Sequence, residues 1–520
     1  AVAAGHPLTA QAGARALAEG GNAVDACVAA AFAAAVTESP FTGPGSGGFM
    51  LIHRASDGST SLADFFVAGP GLGGGAVPAG GMQEVGVSFG AGTTTQMFLI
   101  GPASAAVPGT VAGLEATHML YGRLPWSELL TPGIELARNG VALTESQAHI
   151  HALLDPILRF ESEGRRVYSN EDGSLPGVGD RLRFPDLAAT LEAIASDGAA
   201  ALYEGERAQA ILATVQGGGG ALTAEDLAAY RVEWRRPVEA GFGDYRVLSN
   251  PPPSSGGVLI AYGLAILQRL GVSAAGSADA LGRLIEVMRE QTRARDDAFA
   301  RDLHDGGLSE RLLGEAAQDA ALERILASEP GTADPAASGT THISVLDGDG
   351  NAAALSTSTG SGSGVIVPGT GIYLNNMLGE ADLVSGAPVP PGRRLTSMMA
   401  PTIALDPDGA ARLVVGSAGS ARLRGAIMQV VVNVLEHGMS VSDAIDSPRV
   451  HVDEPEIHCE GGHLAASLDE LEELGYELNR WPSRNLFFGG VAAVEVAADG
   501  TLAAAGDPRR GGAGVVVSEE

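Results

Sequence analysis

The chain has 520 residues, of which 45% are hydrophobic and 18% are charged, so it is long and apolar enough to bury a large core. Its formal charge of -30, from 32 basic and 62 acidic residues, disfavours binding to nucleic acid and to anionic membranes. The two cysteines, Cys27 and Cys459, exclude a disulfide framework for a molecule of this size.

The amino-terminal part of the chain has apolar residues at helical spacing, which predicts helices over residues 8–19, 23–36, 110–120 and 127–138. The second of these is AVDACVAAAFAAAV, which is shorter than the roughly 20 residues needed to cross a bilayer and contains Asp25. We therefore predict a buried core helix and no membrane span. No basic region precedes it, which leaves the compartment open between the cytoplasm and, if a signal peptide has been removed, the periplasm or exterior.

The middle of the chain alternates between further helices and turn-forming clusters. Helices are predicted over residues 184–195, 257–270, 277–301 and 308–328. The next segment, EPGTADPAASG at residues 329–339, is rich in Pro, Gly and Ala, and we predict an exposed loop.

After this loop the pattern changes to strands. TTHISVL alternates with a period of two, DGDG supplies hairpin-turn residues, and NAAALSTS can return as the antiparallel partner. Further strands are predicted over residues 402–405, 411–415 and 490–496, and further helices over residues 421–436, 441–445 and 466–474. This mixture predicts a fold in which helices cover sheets in layers.

Thr340 stands at the junction between the predicted loop and the first of these strands. A threonine hydroxyl is a weak nucleophile that needs an adjacent base. If the peptide bond before Thr340 is cut, the freed α-amine, with an ordinary pKa of roughly 8, can serve as that base. A Gly-Thr-Thr sequence at the start of a strand is also common in purely structural settings, so this stretch alone leaves both interpretations open.

Ordered motifs along nearly the whole chain resemble those of the gamma-glutamyltranspeptidase family, which belongs to the N-terminal nucleophile hydrolases. The first half contains GGNAVDACVAAAFAAAVTESPFTGPGSGGFMLIH, VPGTVAGL, PWSELLTPGIELARNGVAL, TAEDLAAYRVEWRRPV and NPPPSSGG, in family order. The second half continues with TTHISVLDGDGNA, PGTGIYLNN, MAPTIAL, GSAGSARLRGAIMQVVVNVLEHGMS and SPRVH.

This resemblance implies an α/β (α+β) fold, specifically the four-layer αββα sandwich of the N-terminal nucleophile hydrolases. It also implies self-cleavage between Gly339 and Thr340 into a large subunit, residues 1–339, and a small subunit, residues 340–520, which stay associated. Thr340 would form an acyl-enzyme that is passed to water or to an amine acceptor. The family substrates are small amides, γ-glutamyl compounds such as glutathione, and no cofactor is implied.

The resemblance also implies the other catalytic residues. Ser358 matches a family threonine that hydrogen-bonds the nucleophile, and Ser356 takes this place if the alignment gap is set earlier. Gly419 and Ser420 match a Gly-Gly pair whose main-chain amides form the oxyanion hole, and main-chain donors tolerate a serine there if the backbone angles permit it.

The substrate-binding positions depart from the family pattern. The family Asp-x-Arg-Glu-x-Ala-Pro sequence supplies an arginine for the substrate α-carboxylate, whereas LADFFVAGPG has Phe65 and Phe66 where Arg and Glu are expected. Of a serine pair that binds the same carboxylate, only Ser397 remains, and Glu380 stands for the acid that holds the α-amine. Phenylalanine cannot replace the planar donor fork of arginine.

Two interpretations of this departure follow. In the first, the acyl pocket is more apolar than a glutamate site and accepts a non-glutamyl acyl group. In the second, Phe65 and Phe66 are core residues, and another arginine binds the substrate carboxylate. A third interpretation, from a different class, is an uncleaved, non-catalytic homologue that binds small amides or a partner. One full-length band on a gel would favour that homologue, and two fragments would favour the enzyme.

Other chemistry-bearing patterns are weaker. His451, His458, Cys459 and His463 are close in sequence, but their spacing matches no common zinc pattern, and we predict histidines around a turn between strands. The glycine runs GPGSGG and GSGSG lack the Lys-Ser/Thr of a phosphate loop. No metal is therefore predicted.

Overall fold

The strands are defined by a computed structural model, which describes residues 1–74, 81–89, 94–327, 339–380, 389–419 and 422–518. In chain order they are β1 (Val2–Ala4), β2 (Gly47–His53), β3 (Thr60–Phe65), β4 (Gln83–Phe89), β5 (Thr94–Ile100), β6 (Val141–Ala142), β7 (Arg181–Leu182), β8 (Glu233–Arg235), β9 (Val238–Phe242), β10 (Tyr245–Ser249), β11 (Thr341–Leu346), β12 (Ala352–Ser358), β13 (Ile366–Val367), β14 (Ile372–Tyr373), β15 (Thr402–Leu405), β16 (Ala411–Ala418), β17 (Val450–Asp453), β18 (Glu456–Cys459), β19 (Leu478–Arg480), β20 (Gly490–Val496), β21 (Leu502–Gly506) and β22 (Ala513–Val515).

Two antiparallel sheets form the centre of the molecule. The seven-stranded sheet has the order β22-β1-β11-β12-β2-β3-β8, and the six-stranded sheet has the order β21-β20-β16-β15-β10-β9. They pack face to face, with β11 and β12 lying against β16 and β20. The strand that follows Thr340 is therefore central in its sheet, and both of its faces are covered.

The helices enclose these sheets. They are α1 (Pro7–Ala18), α2 (Ala23–Thr37), α3 (Thr110–Tyr121), α4 (Trp126–Asn139), α5 (Glu145–Leu153), α6 (Asp155–Leu158), α7 (Ser162–Val167), α8 (Pro185–Asp197), α9 (Ala200–Tyr203), α10 (Gly205–Gly217), α11 (Ala224–Ala229), α12 (Gly256–Leu270), α13 (Ala278–Arg293), α14 (Phe299–Asp305), α15 (Leu308–Leu313), α16 (Glu315–Ala327), α17 (Arg422–Leu435), α18 (Val441–Asp446) and α19 (Ala465–Glu473).

The layers follow from the alternation of side chains along each strand. On β2, Phe49 and Leu51 join the core between the two sheets, whereas Met50 and Ile52 join the core on the opposite side of the sheet. Helix α2 packs on β11 and β12, and α12 and α17 pack on the other sheet. The result is the four-layer αββα arrangement that the family resemblance implies.

Helix α2 is the core helix predicted from its apolar sequence. Asn22 caps its first turn, and the Asp25 carboxylate accepts a hydrogen bond from the main-chain amide of Asn22, which completes a capping box. Every residue of α2 is buried. Within the described ranges, no helix is both long and apolar enough to cross a membrane.

Several predicted boundaries change where local polar groups or glycine interrupt a helix. The single helix predicted over residues 277–301 is divided into α13 and α14, because Asp296 accepts a hydrogen bond from the amide of Ala298 in a local turn. The helix predicted over residues 308–328 is divided at Gly314, which has an extended conformation. Of the loop predicted at residues 329–339, only Gly339 lies in the described part, and it is buried.

Candidate active site

The bond between Gly339 and Thr340 lies at the amino-terminal edge of β11, opposite the end of β12. The amide of Gly339 donates to the carbonyl of Gly360 at 3.0 Å, which extends the pairing beyond both strands. The hydroxyl of Ser358 donates to the Gly339 carbonyl, and the amide of Gly360 donates to the same hydroxyl oxygen at 2.9 Å. The predicted cleavage bond is thus held by β12, and its carbonyl already has a hydroxyl donor.

Residue 339 has room only for glycine. A Cβ atom there would lie 2.4 Å from the ring of Phe41 and 2.9 Å from the carbonyl oxygen of Gly360. Thr340 itself is 3% exposed. The close approach of an aromatic ring and a neighbouring main chain therefore requires glycine immediately before Thr340.

Two partly buried charged groups flank this bond. The Nη1 group of Arg510 donates to the Thr340 carbonyl at 2.9 Å, and its guanidinium lies over the Phe41 ring at 4.6 Å from the ring centroid. The hydroxyl of Thr341 donates to the Glu38 carboxylate. Burial raises the pKa of Glu38, and the hydrogen bond from Thr341 and the charge of Arg510 act in the opposite direction.

Gly419, a predicted oxyanion-hole residue, lines the same pocket as Gly339. Gly419 follows β16 with a φ of +124°, and a Cβ atom there would lie 2.9 Å from the Cα atom of Gly489. Glycine is therefore required for both its backbone angle and its small volume. The other predicted member of this pair, Ser420, lies outside the described residues.

A pocket opens beside Gly339 and Gly419, with about 590 Å³ of empty space when the adjoining open solvent is included. Its walls are mainly apolar side chains, together with two guanidinium groups and the turn that follows β12. The lining residues are Phe41, Phe98, Ile150, Leu153, Leu154, Gly339, Ser361, Gly419, Arg422, Leu486, Phe487 and Arg510. An acyl chain attached at the position of the Gly339 carbonyl would have an apolar wall to contact.

The predicted amine-binding acid lies behind this wall. The Glu380 carboxylate accepts a hydrogen bond from the amide of Ser361 at 2.9 Å, and Ser361 lines the pocket. Ser397 does not line it. Its hydroxyl accepts from the amide of Met399 at 3.0 Å, and its carbonyl accepts from the hydroxyl of Ser254. Ser397 therefore links its own segment to the segment that contains Ser254.

Phe65 and Phe66 are core residues and do not line the pocket beside Thr340. Phe65 packs against Gly113, where a Cβ atom would meet its ring at 1.9 Å, and Phe66 stacks on Phe49 with ring centroids 5.4 Å apart. Their apolar rings are fully buried, which explains why the structure does not place them at a substrate.

The alignment of the family Asp-x-Arg-Glu-x-Ala-Pro sequence with this segment also needs a correction. Counted between Asp64 and Pro70, the arginine position falls on Phe66 and the glutamate position on Val67, one residue later than expected above. Asp64 forms ion pairs with Arg235 at 2.7 Å and with Arg394 at 3.2 Å, within the fold. Neither alignment places an arginine on this strand that could bind the substrate carboxylate.

Ser356, the fallback for Ser358, lies on the same face of β12 but farther from the Gly339–Thr340 bond, opposite His342. It contacts Nδ1 of His342 at 2.7 Å, and Nε2 of His342 contacts the hydroxyl of Ser344 at 3.0 Å. Because the Ser344 hydroxyl donates to the carbonyl of Ala492, Nε2 carries the proton and Ser356 donates to Nδ1. Burial lowers the pKa of His342 to about 3, so this neutral network holds the two sheets together.

The histidines near residue 455 lie on a β-hairpin, as predicted. His451 on β17 pairs with His458 on β18, and their rings stack 6.4 Å apart. A search of the described residues finds no group of three or more His, Cys, Asp or Glu side chains arranged to hold a metal ion.

Comparison with known proteins agrees with this geometry. The family model described as gamma-glutamyltranspeptidase matches residues 9–517. This chain belongs to the gamma-glutamyltranspeptidase family. It is 32% identical to the glutathione hydrolase proenzyme of Escherichia coli (strain K12), over 96% of this chain and 88% of that protein. It is 31% identical to the acylase ACY 1 proenzyme of Pseudomonas sp. (strain SE83), over 99% of this chain and 92% of that protein.

A solved structure extends the similarity to the fold. The crystal structure of cephalosporin acylase from Bacillus halodurans has a TM-score of 0.84 at 27% identity, over 100% of this chain and 96% of that chain. As a gamma-glutamyltranspeptidase family member with this fold, the protein is an enzyme of the N-terminal nucleophile hydrolase class.

Sequence reasoning did not identify Glu38, Phe41 or Arg510, which surround Thr340 in this member of the gamma-glutamyltranspeptidase family. Glu38 and Phe41 follow α2 in the segment TESPF, and Arg510 lies in DPRR near the end of the chain. No local pattern distinguishes them from surface residues or ordinary core residues. Glu38 and Phe41 precede β2 and Arg510 precedes β22, and these strands share one sheet with β11 and β12, which brings the distant segments together.

The two serines on β12 provide a matched test of this geometry. Replacing Ser358 with alanine removes the donor to the Gly339 carbonyl, and we expect self-cleavage to slow by about 10²-fold. Ser356→Ala removes a hydroxyl of the same strand that contacts His342, so we expect cleavage at nearly the wild-type rate. The measurement is the time course of fragment formation on a gel. Equal slowing in both variants would contradict the assignment of Ser358.

Proposed function

We propose that the protein is a self-processing amide hydrolase or acyltransferase in which Thr340 is the nucleophile. In processing, the Thr340 hydroxyl adds to the Gly339 carbonyl carbon, the C–N bond breaks, and the amide nitrogen takes the hydroxyl proton to become an α-amine. Water then hydrolyses the resulting ester, which leaves a carboxylate on Gly339 and a free hydroxyl on Thr340. The hydrogen bond from Ser358 to the Gly339 carbonyl is the observation that carries this proposal.

In turnover, the same atoms would act on an external amide. The new α-amine takes the proton of the Thr340 hydroxyl, the hydroxyl oxygen attacks the substrate carbonyl, and the leaving amine takes the proton. The main-chain amide of Gly419, which lines the pocket beside Gly339, would stabilise the oxyanion. Water or an acceptor amine then removes the acyl group from Thr340.

We propose that the large fragment, residues 1–339, and the small fragment, residues 340–520, remain associated after processing. In the seven-stranded sheet β11 and β12, from the small fragment, lie between β1 and β2, from the large fragment. The register pairs Val2 with Val345 on one side and Leu51 with Ala354 on the other. Separating the fragments would leave both edges of a buried hairpin unpaired.

Two acyl groups are candidates. The first is γ-glutamyl, as in glutathione, because relatives that match over almost the whole chain are named glutathione hydrolases. The second is an acyl group without the α-amino and α-carboxylate groups of glutamate. The observation that favours it is Phe66, which stands at the arginine position, stacks in the core and has no donor for a carboxylate.

A panel of three p-nitroanilides tests the acyl specificity. The γ-glutamyl compound carries an amine and a carboxylate, the glutaryl compound carries only the carboxylate, and the butyryl compound carries neither. We expect kcat/KM to be higher for glutaryl or butyryl than for γ-glutamyl by at least about tenfold, since a missing charged partner costs this much or more. A preference for γ-glutamyl would establish glutathione-type hydrolysis and reject the acylase alternative.

A further inference from the structure

Arg510 reaches the nucleophile from the opposite end of the chain. It ends a short 3-10 helix, Pro508–Arg510, in which the main-chain amide of Arg509 donates to the carboxylate of Asp507. The preceding side chain, Arg509, turns into the interior and forms an ion pair with Glu460. Arg510 turns the other way, towards the start of β11. Two adjacent arginines therefore serve different parts of the fold.

The position of the Arg510 guanidinium is closely defined by its neighbours. Nη1 donates to the carbonyl of Thr340 at 2.9 Å, and the planar group lies over Phe41. Its aliphatic stem lies against Gly490, where a Cβ atom would be 2.3 Å from the Arg510 Cδ atom. Gly490 does not have a positive φ, so its glycine provides space for the arginine and not a special backbone angle.

We propose that Arg510 is a positioning residue for the nucleophile: its guanidinium holds the Thr340 carbonyl and places a fixed positive charge beside the α-amine that self-cleavage creates. The inference rests on the proposed role of Thr340. Once the bond to Gly339 is cut, the new amino-terminal residue loses one of its two covalent anchors. A donor on its carbonyl restricts rotation of the residue that carries both the nucleophile and the base.

The charge acts on the same residue. The carbonyl and the α-amine of Thr340 are separated by a single Cα atom, so a guanidinium on the carbonyl is close to the amine and disfavours its protonated form. Because arginine keeps its charge in proteins, this effect persists across the working pH range. A general base must be unprotonated to accept the proton of the hydroxyl.

Other charged groups face this residue from the surrounding elements. Glu38, at the end of α2, accepts the hydroxyl of Thr341, and Glu380 contacts the turn after β12. Arg422, at the start of α17, lines the pocket with Arg510. The two carboxylates favour a protonated amine and the two guanidiniums oppose it. Removing Arg510 takes away one positive charge and also leaves the negative charge of Glu38 without its compensating partner. Both changes favour the protonated form of the Thr340 α-amine.

The test measures kcat and KM of the matured enzyme between about pH 5 and 10 for Arg510→Met and Arg510→Lys. For Arg510→Met we expect the acidic limb of kcat/KM to move up by about one pH unit. We also expect kcat to fall about 10- to 100-fold with little change in KM, because loss of the hydrogen bond to the Thr340 carbonyl misplaces the reacting atoms of Thr340. Arg510→Lys keeps the charge, so its acidic limb should stay close to that of the wild type.

Two further variants separate this role from general stability. Gly490→Ala displaces the Arg510 stem without changing the charge, and it should lower kcat even if Arg510→Met does not mature. Arg509→Lys disturbs the neighbouring ion pair and should lower the melting temperature without moving the acidic limb.

Wild-type pH profiles and kcat in Arg510→Met or in Gly490→Ala would overturn the inference. Activity that survives in Thr340→Ala would instead overturn the proposed function on which it rests. Loss of activity in Thr340→Ala together with wild-type behaviour of Arg510→Met would reject the inference alone.

Discussion

Replacing Thr340 with alanine is expected to leave a single chain of 52.5 kDa and to reduce turnover by at least about 10⁴-fold. The same atom is required twice, because the hydroxyl that attacks Gly339 in processing later attacks the substrate. In the wild type, amino-terminal sequencing of the smaller fragment should begin Thr-Thr-His-Ile. The measurements are a denaturing gel and a progress curve with the best anilide of the panel.

Thr340→Ser is the matched control for this prediction. Serine supplies both a hydroxyl and, after cleavage, an α-amine, so two fragments and measurable turnover should remain. The site has little free space, since Thr340 is buried and residue 339 contacts Phe41, and the lost methyl group should therefore slow the reaction without abolishing it. A fully active protein whose Gly339–Thr340 bond is intact would refute the mechanism, as would a Thr340→Ala variant that still matures.

Replacing Asp507 with asparagine is expected to lower the free energy of unfolding by about 3 kcal/mol. Asp507 is 2% exposed, and its carboxylate accepts hydrogen bonds from Arg449 at 2.6 Å and from the amide of Val491 at 3.0 Å. It also pairs with Arg509 at 3.2 Å. Removing the negative charge leaves two buried guanidiniums with one carboxylate, Glu460, between them.

The pH dependence of this effect has a defined sign. Burial alone would raise the pKa of Asp507, but the guanidiniums of Arg449 and Arg509 more than offset it and hold the pKa below its usual value. A depressed pKa stabilises the folded protein at pH values above the unfolded pKa of about 3.9. This stabilisation is lost as the pH falls through the lower folded value.

The difference in the free energy of unfolding between Asp507→Asn and the wild type should therefore be constant from neutral pH to about pH 4. Below about pH 4 this difference should become smaller. Urea-induced unfolding at a series of pH values provides the measurement. Asp499, in an exposed turn, supplies the control, because its carboxylate accepts from Thr501 within the same turn and lies outside this network. Asp499→Asn should unfold like the wild type. An Asp507→Asn variant equally stable at pH 7 would show that the buried network does not depend on this charge.

This network also affects the active site through the main chain. Arg449 donates to the carbonyl of Phe488 at 3.0 Å, next to the aromatic wall formed by Phe487. The turn capped by Asp507 leads directly to Arg510. A loss of activity in Asp507→Asn is therefore expected to accompany the loss of stability, and both should be measured on the same preparation.

Much of the fold and of the reaction class was predictable from local patterns. The hairpin of TTHISVL and NAAALSTS has the predicted strands and turn, because alternation with a period of two and DGDG are signals that neighbouring residues contain by themselves. The buried helix α2 was predictable for the same reason. The family, and with it the αββα layers and the hydrolase class, followed from motifs in order along nearly the whole chain.

Other secondary-structure elements have no clear local pattern in the sequence. Strands β2 and β3 are covered on both faces, so GGFMLIH lacks the alternation that marks a half-buried strand. Helices α13 and α14 were predicted as one, because the turn at Asp296 depends on a single side-chain hydrogen bond.

The sequence alone determined that Thr340 follows Gly339 at the start of a strand and that the family arginine is absent, because both depend only on which residue occupies a position. Only the tertiary structure decided what surrounds that threonine. Glu38, Phe41, Ser358 and Arg510 come from three distant segments and meet because β1, β11, β12 and β22 share one sheet. The same packing decided that Phe66 belongs to the core, since its burial depends on Phe49 and the facing sheet and on nothing in its own segment.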